Sequence, residues 1–197
     1  MQGFSVLLGP TLAVTTIVLA SASPRRADLL RAAGIPFEIA AAHVDETLTA
    51  GESPEQYARR VAEAKARVVS SRFPNRLVLA ADTVVVVDHH ILGKPGGRDD
   101  ASRMLRLLSG RTHEVMTAVT LASDRRFETQ LEITNVEFAL LTDAEIEWYV
   151  ESGEPMDKAG AYAIQGLASR FIRRIQGSYS NVVGLPIALV YEMLRRT

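Results

Sequence analysis

The chain has 197 residues, 47% of them hydrophobic and 23% charged, enough for one ordinary globular domain with a real core. A net charge of -1 gives no general attraction to nucleic acid or to an anionic membrane, so an anionic ligand has to be held by a local basic pocket. The absence of cysteine excludes disulfides, thiol catalysis and cysteine zinc sites, and His43, His89, His90 and His113 form no H-x-x-x-H pair of the zincin type.

Residues 1–15 read as an extension outside the fold. Leu19-Ala20-Ser21-Ala22 loosely mimics a signal cleavage site, but there is no basic segment before it and Gly9-Pro10 interrupts the apolar run. Secretion stays as a minor alternative. From there the pattern alternates in an α/β manner. A strand over Thr16–Ala20 leads into a helix over Pro24–Ala33, stopped by Gly34-Ile35-Pro36. Phe37–Ala42 reads as a strand running into the acidic loop Asp45-Glu46. Ser53 and Gln56 form a capping box for a helix reaching Ser71, with Tyr57, Val61, Ala64 and Val68 on one face. Leu77–Asp88 is the strongest strand signal, followed by a turn at Asp88-His89-His90 and a short return at Ile91-Leu92. A helix over Arg98–Leu108 closes at Ser109-Gly110. His113–Ala122 and Phe127–Leu140 form a strand pair around Ser123 to Arg126, and Thr142 starts a helix ending near Gly153. Strand-like pieces at Ala161–Ile164 and Phe171–Ile175 precede a closing helix over Pro186–Arg195.

Several residues in this frame carry chemistry. Ser23 suits an N-cap and Pro24 the first helical position. The next two residues, Arg25 and Arg26, put positive charge at the positive end of a helix, which costs about 0.3–1 kcal/mol each. Ser21, Ser23, free backbone N–H groups and two guanidinium forks describe a phosphate cradle; two solvated arginines on a surface helix remain the other reading. Asp82 interrupts a core strand. A carboxylate there is costly unless paired or metal-bound, and a strand-end cap is the bland alternative. Strand alternation puts it on one face with Val78, Ala80, Val84 and Val86. If Val87 pairs with Ile91, Lys94 falls opposite Val84 as a diagonal neighbour of Asp82, as against an edge lysine in solvent. Lys65 flanks the apolar stripe as a snorkelling residue would, and Glu46 lies in an acidic loop of ordinary solvated type.

These segments assemble into one pattern. Ser21-Ala-Ser-Pro-Arg-Arg26, Glu63-Ala-Lys65-Ala, Ala81-Asp-Thr-Val-Val85, Gly93-Lys-Pro95, Leu108-Ser-Gly110, Asp157-Lys-Ala-Gly-Ala-Tyr-Ala-Ile-Gln-Gly166 and Gly177-Ser-Tyr-Ser-Asn-Val-Val-Gly-Leu-Pro186 occur in the order of the Maf family. The chain resembles a Maf nucleoside triphosphate pyrophosphatase from about Thr16 to its end, as a single domain over 16–197.

The resemblance implies an α/β fold with an elongated mixed sheet flanked by helices, related to inosine triphosphate pyrophosphatases, with two lobes around a nucleotide cleft. It implies a cytoplasmic homodimer that cleaves between α- and β-phosphates with a divalent cation, Mg²⁺ or Mn²⁺, and binds neither nucleic acid nor membrane. Asp82 matches the general base, Glu46, Lys65 and Lys94 match the other charged site positions, and Asp82 and Glu46 would hold the metal. Arg25 and Arg26 match a phosphate-contacting pair. Ile164-Gln165-Gly166 and the Gly177–Pro186 segment match the branch acting on dTTP and UTP, in which Arg25, Thr83 and Gln165 correspond to positions of substrate choice. The Gln165 amide offers both donors and acceptors to a uracil or thymine edge. The family is also associated with inhibition of septum formation, so a nucleotide-binding regulator of division is the alternative function. Two features stand apart: a regular strand would send Asp82 and Thr83 to opposite faces, so that sharing a pocket calls for a strand end or bulge, and Ala118 stands where the family pattern has glycine.

Overall fold

The computed structural model describes residues 16–123 and 126–197; the expected extension over 1–15 and the centre of the turn at Asp124-Arg125 lie outside them. Seven strands form one mixed sheet: β1 (Ile17–Leu19), β2 (Phe37–Ile39), β3 (Val78–Val87), β4 (His90–Leu92), β5 (Thr112–Ser123), β6 (Arg126–Phe138) and β7 (Ile172–Gln176). The order is β2-β1-β3-β5-β6-β7, with β4 also on β3. β1 runs parallel to β2 and β3, and every other pairing is antiparallel. Among the described residues no helix is long and apolar enough to cross a membrane.

The two faces of β3 are covered differently. Val78, Ala80, Val84 and Val86 pack under α2 (Pro54–Arg72), against Ala58, Ala62, Ala66 and Val69. The opposite face carries two separate clusters. At one end, α1 (Pro24–Ala32) and α6 (Ile187–Leu194) cover Leu79 and Ala81. At the other, α3 (Arg98–Leu108) and α4 (Asp143–Glu151) cover Val85 and Val87. These are the two lobes, and Thr83 lies between them.

Four expectations need correction. Of the expected α2 stripe of Tyr57, Val61, Ala64 and Val68 only Val61 is buried; Val68 is 39% exposed, and the face on the sheet runs through Ala58, Ala62 and Ala66, alanines that let helix and sheet approach closely. The hairpin turn is Asp88-His89 alone, both at positive φ as a tight two-residue turn requires, so Val87 pairs with His90 and not with Ile91. This one-residue slip would move Lys94 opposite Thr83 instead of Val84, and the ladder ends before it, at Val85↔Leu92. Ala161–Ile164 is no strand: Gly160 and Ala161 both take positive φ and turn the chain back on itself. β2 ends at Ile39, short of the expected Ala42.

A short helix unexpected from the sequence, α5 (Tyr179–Val183), is pinned to the open middle of the sheet by polar contacts. Ser178 caps it by accepting from the Asn181 N–H, and Asn181 Nδ2 donates to Val115 O and Thr134 Oγ1, both at 2.9 Å. Gly177, at φ +129, comes so close that an added Cβ would stand 2.8 Å from Thr134 Oγ1. Its glycine is demanded by both backbone and space.

Two outcomes follow from this packing. Gly177→Ala should cost about 2 kcal/mol or more, read as a lowered urea midpoint with unchanged m; a midpoint equal to the native protein's contradicts the close approach. Buried His113 touches Tyr162 OH through Nε2 at 2.8 Å, and burial pushes its pKa down to about 4. The unfolded state therefore takes up a proton near pH 6.5 that the folded state refuses. Stability should fall as pH drops from 6.5 towards 4, and a His113→Gln variant should show a flatter profile across that window in denaturant titrations.

Candidate active site

On one edge β3 pairs with β5 without a break, Val78↔Ala122 through Val86↔Glu114. On the other edge two strands share it. β1 reaches only Leu79, with Ala20 N donating to Leu79 O, and β4 begins only at Val85. Ala80 to Val84 have no strand beside them on that edge among the described residues. A cleft of about 580 Å³ enters there, at the C-terminal end of a parallel strand, where open α/β sheets bind ligands. Asp82 points toward α2 and Thr83 to the other face, yet both line the cleft. Neither a bulge nor a strand end in β3 is needed; the vacant position beside it exposes both faces at once.

Toward α2, the Lys65 ammonium joins two carboxylates, 2.8 Å from Asp82 Oδ1 and 2.7 Å from Glu46 Oε1. Lys65 follows Ala58 and Ala62 at helical spacing and precedes Val69, so it occupies the buried face of α2; the snorkelling expectation came from misplacing the stripe. Asp82 is 6% exposed and pairs across the sheet with fully buried Ala118, whose methyl helps exclude water. Burial pushes the Asp82 carboxyl above the usual carboxylate range; the Lys65 charge and hydrogen bond and the more distant Arg26 oppose this, but burial outweighs them. Glu46 sits on an irregular loop docked to α2 by Tyr57, whose hydroxyl donates to Glu46 O at 2.8 Å. Burial, reinforced by Asp82 and Glu46, pushes the Tyr57 phenol up to about 12, so it remains a donor.

On the other face, Arg26 is spread over three acceptors: Nε to Gly184 O at 2.8 Å, Nη1 to Ser21 Oγ at 3.1 Å and Nη2 to Thr83 Oγ1 at 3.0 Å. Burial lowers its pKa from the ordinary arginine value, partly offset by Asp82, and it stays a cation. The two arginines therefore differ: Arg26 is a buried cation at the base of the cleft, whereas Arg25 is half-buried and meets Asp157 across the cleft at 3.6 Å. Ser23 takes the N-cap backbone conformation of α1, but its hydroxyl makes no capping bond; Ser21 Oγ accepts from Ser23 N instead. The N–H groups of Arg25 and Arg26, in the first turn of α1, have no intrahelical acceptor and are free to receive an anion.

The far wall is a strap from Glu154 to Ala168. Gly160 N donates to Gly93 O at 3.0 Å, and a Cβ on Gly160 would meet Val85 Cγ1 at 2.8 Å, so the strap lies directly on β3 and holds the Gly93-Lys94 loop beside the cleft. Lys94 lines the cleft, exposed, without an ion pair to Asp82 among the described residues. Gln165 lies on an exposed turn of the strap at the cleft lip. All ten residues singled out from sequence thus line one cleft: Ser21, Ser23, Arg25, Arg26, Glu46, Lys65, Asp82, Thr83, Lys94 and Gln165. Tyr57, Asp157 and Lys158 join them and were missed as single residues, although Asp157-Lys158 opens a motif already recognised.

The donor set suits a hard cation shared with phosphate. Lys65 contacts one oxygen of each carboxylate, Asp82 Oδ1 and Glu46 Oε1, and both residues line the cleft, whereas no cluster of three carboxylate, histidine or cysteine ligands occurs among the described residues. Two carboxylates completed by substrate oxygens and water is the coordination that Mg²⁺ favours; an all-protein cage is not.

A family model described as Maf-like protein matches residues 16–197. The chain is 54% identical over 180 residues to a protein of Koribacter versatilis named dTTP/UTP pyrophosphatase, spanning 91% of this chain and 93% of that one. It is 52% identical over 178 residues to a protein of the same name from Symbiobacterium thermophilum, spanning 90% and 92%. The Ham1 protein of Staphylococcus aureus shares the fold at 15% identity, with a TM-score of 0.51 over 92% of this chain and 99% of that one.

The raised Asp82 carboxyl has a measurable consequence. Its folded-state pKa lies above its unfolded value, so the native protein gives up stability as pH rises through that interval. In chelator-containing buffer, Asp82→Asn should be at least as stable as the native protein at pH 7, with the difference vanishing below about pH 4. A less stable variant at pH 7 would show that the Lys65 pairing outweighs burial.

Proposed function

Because the chain belongs to the Maf-like family, we propose that it hydrolyses dTTP and UTP to the monophosphate and diphosphate, with residues 16–197 acting as one catalytic domain. The observation that carries this reading is the juxtaposition of two carboxylates on one lysine with a cation-bearing helix start, across a cleft of nucleotide size. The names of relatives at about half identity support the choice of substrate.

The triphosphate lies along the Ser21–Arg26 helix start, where backbone N–H groups, Ser23 and Arg25 receive its oxygens. Binding displaces Arg25 from its weak contact with Asp157. Asp82 accepts a proton from a water whose oxygen attacks the α-phosphorus; the α–β bridging bond breaks and the diphosphate leaves with the bond's electron pair. A carboxylate with a raised pKa is the stronger base for that step, and Lys65 holds it in place. Lys65 and Lys94 balance negative charge growing on the phosphoryl oxygens and the departing diphosphate. Glu46 and Asp82 would hold Mg²⁺ or Mn²⁺, which supplies Lewis-acid charge neutralisation when bound. Arg26, already committed to Gly184, Ser21 and Thr83, adds fixed positive charge beneath the phosphates and keeps the helix start in register with β3.

A nucleotide panel with both products measured tests the reaction. dTTP and UTP should each give monophosphate and diphosphate in equal amounts, only with added Mg²⁺ or Mn²⁺; release of single orthophosphates overturns the bond assignment. Asp82→Asn should lower kcat by about 10²–10⁴-fold while the fold is kept, and near-native turnover by that variant removes Asp82 from the proton transfer.

A further inference from the structure

Gln165 stands on an exposed turn, and its side chain makes no hydrogen bond among the described residues. A residue that reads a base edge needs its backbone fixed to within a fraction of an ångström. The turn is closed by Gly166 N donating to Ala163 O at 3.2 Å, and immediately after it the chain meets the carboxylate of Glu154. Leu167 N donates to Glu154 Oε2 at 2.9 Å, Ala168 N reaches Oε1 at 3.5 Å, and the hydroxyl of fully buried Tyr149 donates to Oε1 at 2.8 Å. Gly166 lies so close over this carboxylate that an added Cβ would fall inside it. Glu154 in turn starts the strap: its backbone oxygen accepts from Lys158 Nζ at 2.8 Å.

We infer that Glu154 is a positioning residue for base selection, clamping the Gly166–Ala168 backbone through Tyr149 so that Gln165 presents its amide to the pyrimidine edge. This rests on the proposed pyrimidine nucleotide activity. Glu154 touches no substrate. It ties both ends of the strap to the core, and its two oxygens provide the acceptors that the strap's N–H groups and the Tyr149 hydroxyl need. Glycine at 166 is required by the same arrangement, because its backbone at φ -110 would accept any residue and the carboxylate alone forbids a side chain.

The test compares UTP with CTP, which share sugar and phosphates and differ only along the edge that Gln165 would read. The native protein should prefer UTP in kcat/KM; no preference there refutes base reading by Gln165 and with it this assignment, whereas failure to release monophosphate and diphosphate from UTP at all refutes the functional reading itself. Given that preference, Glu154→Ala should lower the UTP/CTP ratio roughly tenfold, the size of one or two hydrogen bonds, through a higher KM for UTP with CTP kinetics unchanged. Glu154→Gln, which keeps an acceptor for Leu167 N and can donate to the Tyr149 oxygen, should restore most of the ratio. A double variant with Gln165→Ala should lose no more than either single change. Equal losses on UTP and CTP, or a ratio within twofold of native, overturn the assignment. If Glu154→Ala does not fold, Gly166→Ala, which pushes the carboxylate aside without removing it, decides by the same ratio.

Discussion

A missing neighbour on one strand edge organises this protein. β3 is fully paired on its β5 side, but on the other side β1 stops at Leu79 and β4 starts at Val85. Backbone left unpaired inside a sheet has to face either solvent or a ligand. Here it faces a cleft, and the side chains on both faces of β3 become reachable from one opening. Asp82 can therefore lean on α2 while Thr83 holds Arg26 on the opposite face, and both sets open on one cleft.

Around that gap the molecule keeps charges under cover. Asp82, Lys65 and Arg26 are each largely buried; Asp82 is held by Lys65, Lys65 by two carboxylates and Arg26 by three acceptors. Burial of this kind contributes little to stability and gives the groups fixed positions and strong mutual fields. The costs show in opposite directions: burial makes the Asp82 carboxyl harder to ionise and lets Arg26 hold its proton less tightly than a free arginine, though it stays charged. The polar layer of Thr83, Thr117 and Asn181 continues the same strategy beneath α5, with the Thr83 and Thr117 hydroxyls 2.9 Å apart. The motif from Gly177 to Pro186 is thus mainly scaffolding: it seats α5 on the sheet and presents Gly184 O to Arg26.

Much of this was legible beforehand where local rules act alone. The capping box at Ser53 is present as side-chain bonds, Thr142 starts its helix, α3 has the expected bounds, and β3 shows the expected alternation. Errors arose where one residue of register or tens of degrees of helix rotation decides the answer. The two-residue turn at Asp88-His89 shifted the β3–β4 register by one, and β4 stopped at Leu92, short of Lys94. Small alanines, weak in any hydrophobic pattern, turned out to mark the buried face of α2, and with it the place of Lys65. α5 was missed because five residues held by Asn181 carry no helical periodicity of their own.

Sequence by itself determined the alternation of elements, the anomalous arginines at a helix start, the carboxylate inside a core strand, and the ordered motifs that tie the chain to its family. Those are properties of single segments, set by propensity, capping and chemical type. Tertiary structure decided what the segments do to one another: that Lys65 bridges Glu46 and Asp82, that Arg26 is structural cation and Arg25 the accessible one, and that Glu154 holds the turn bearing Gln165. These contacts join residues far apart in the chain. Their geometry depends on where each strand ends, which no local pattern encodes.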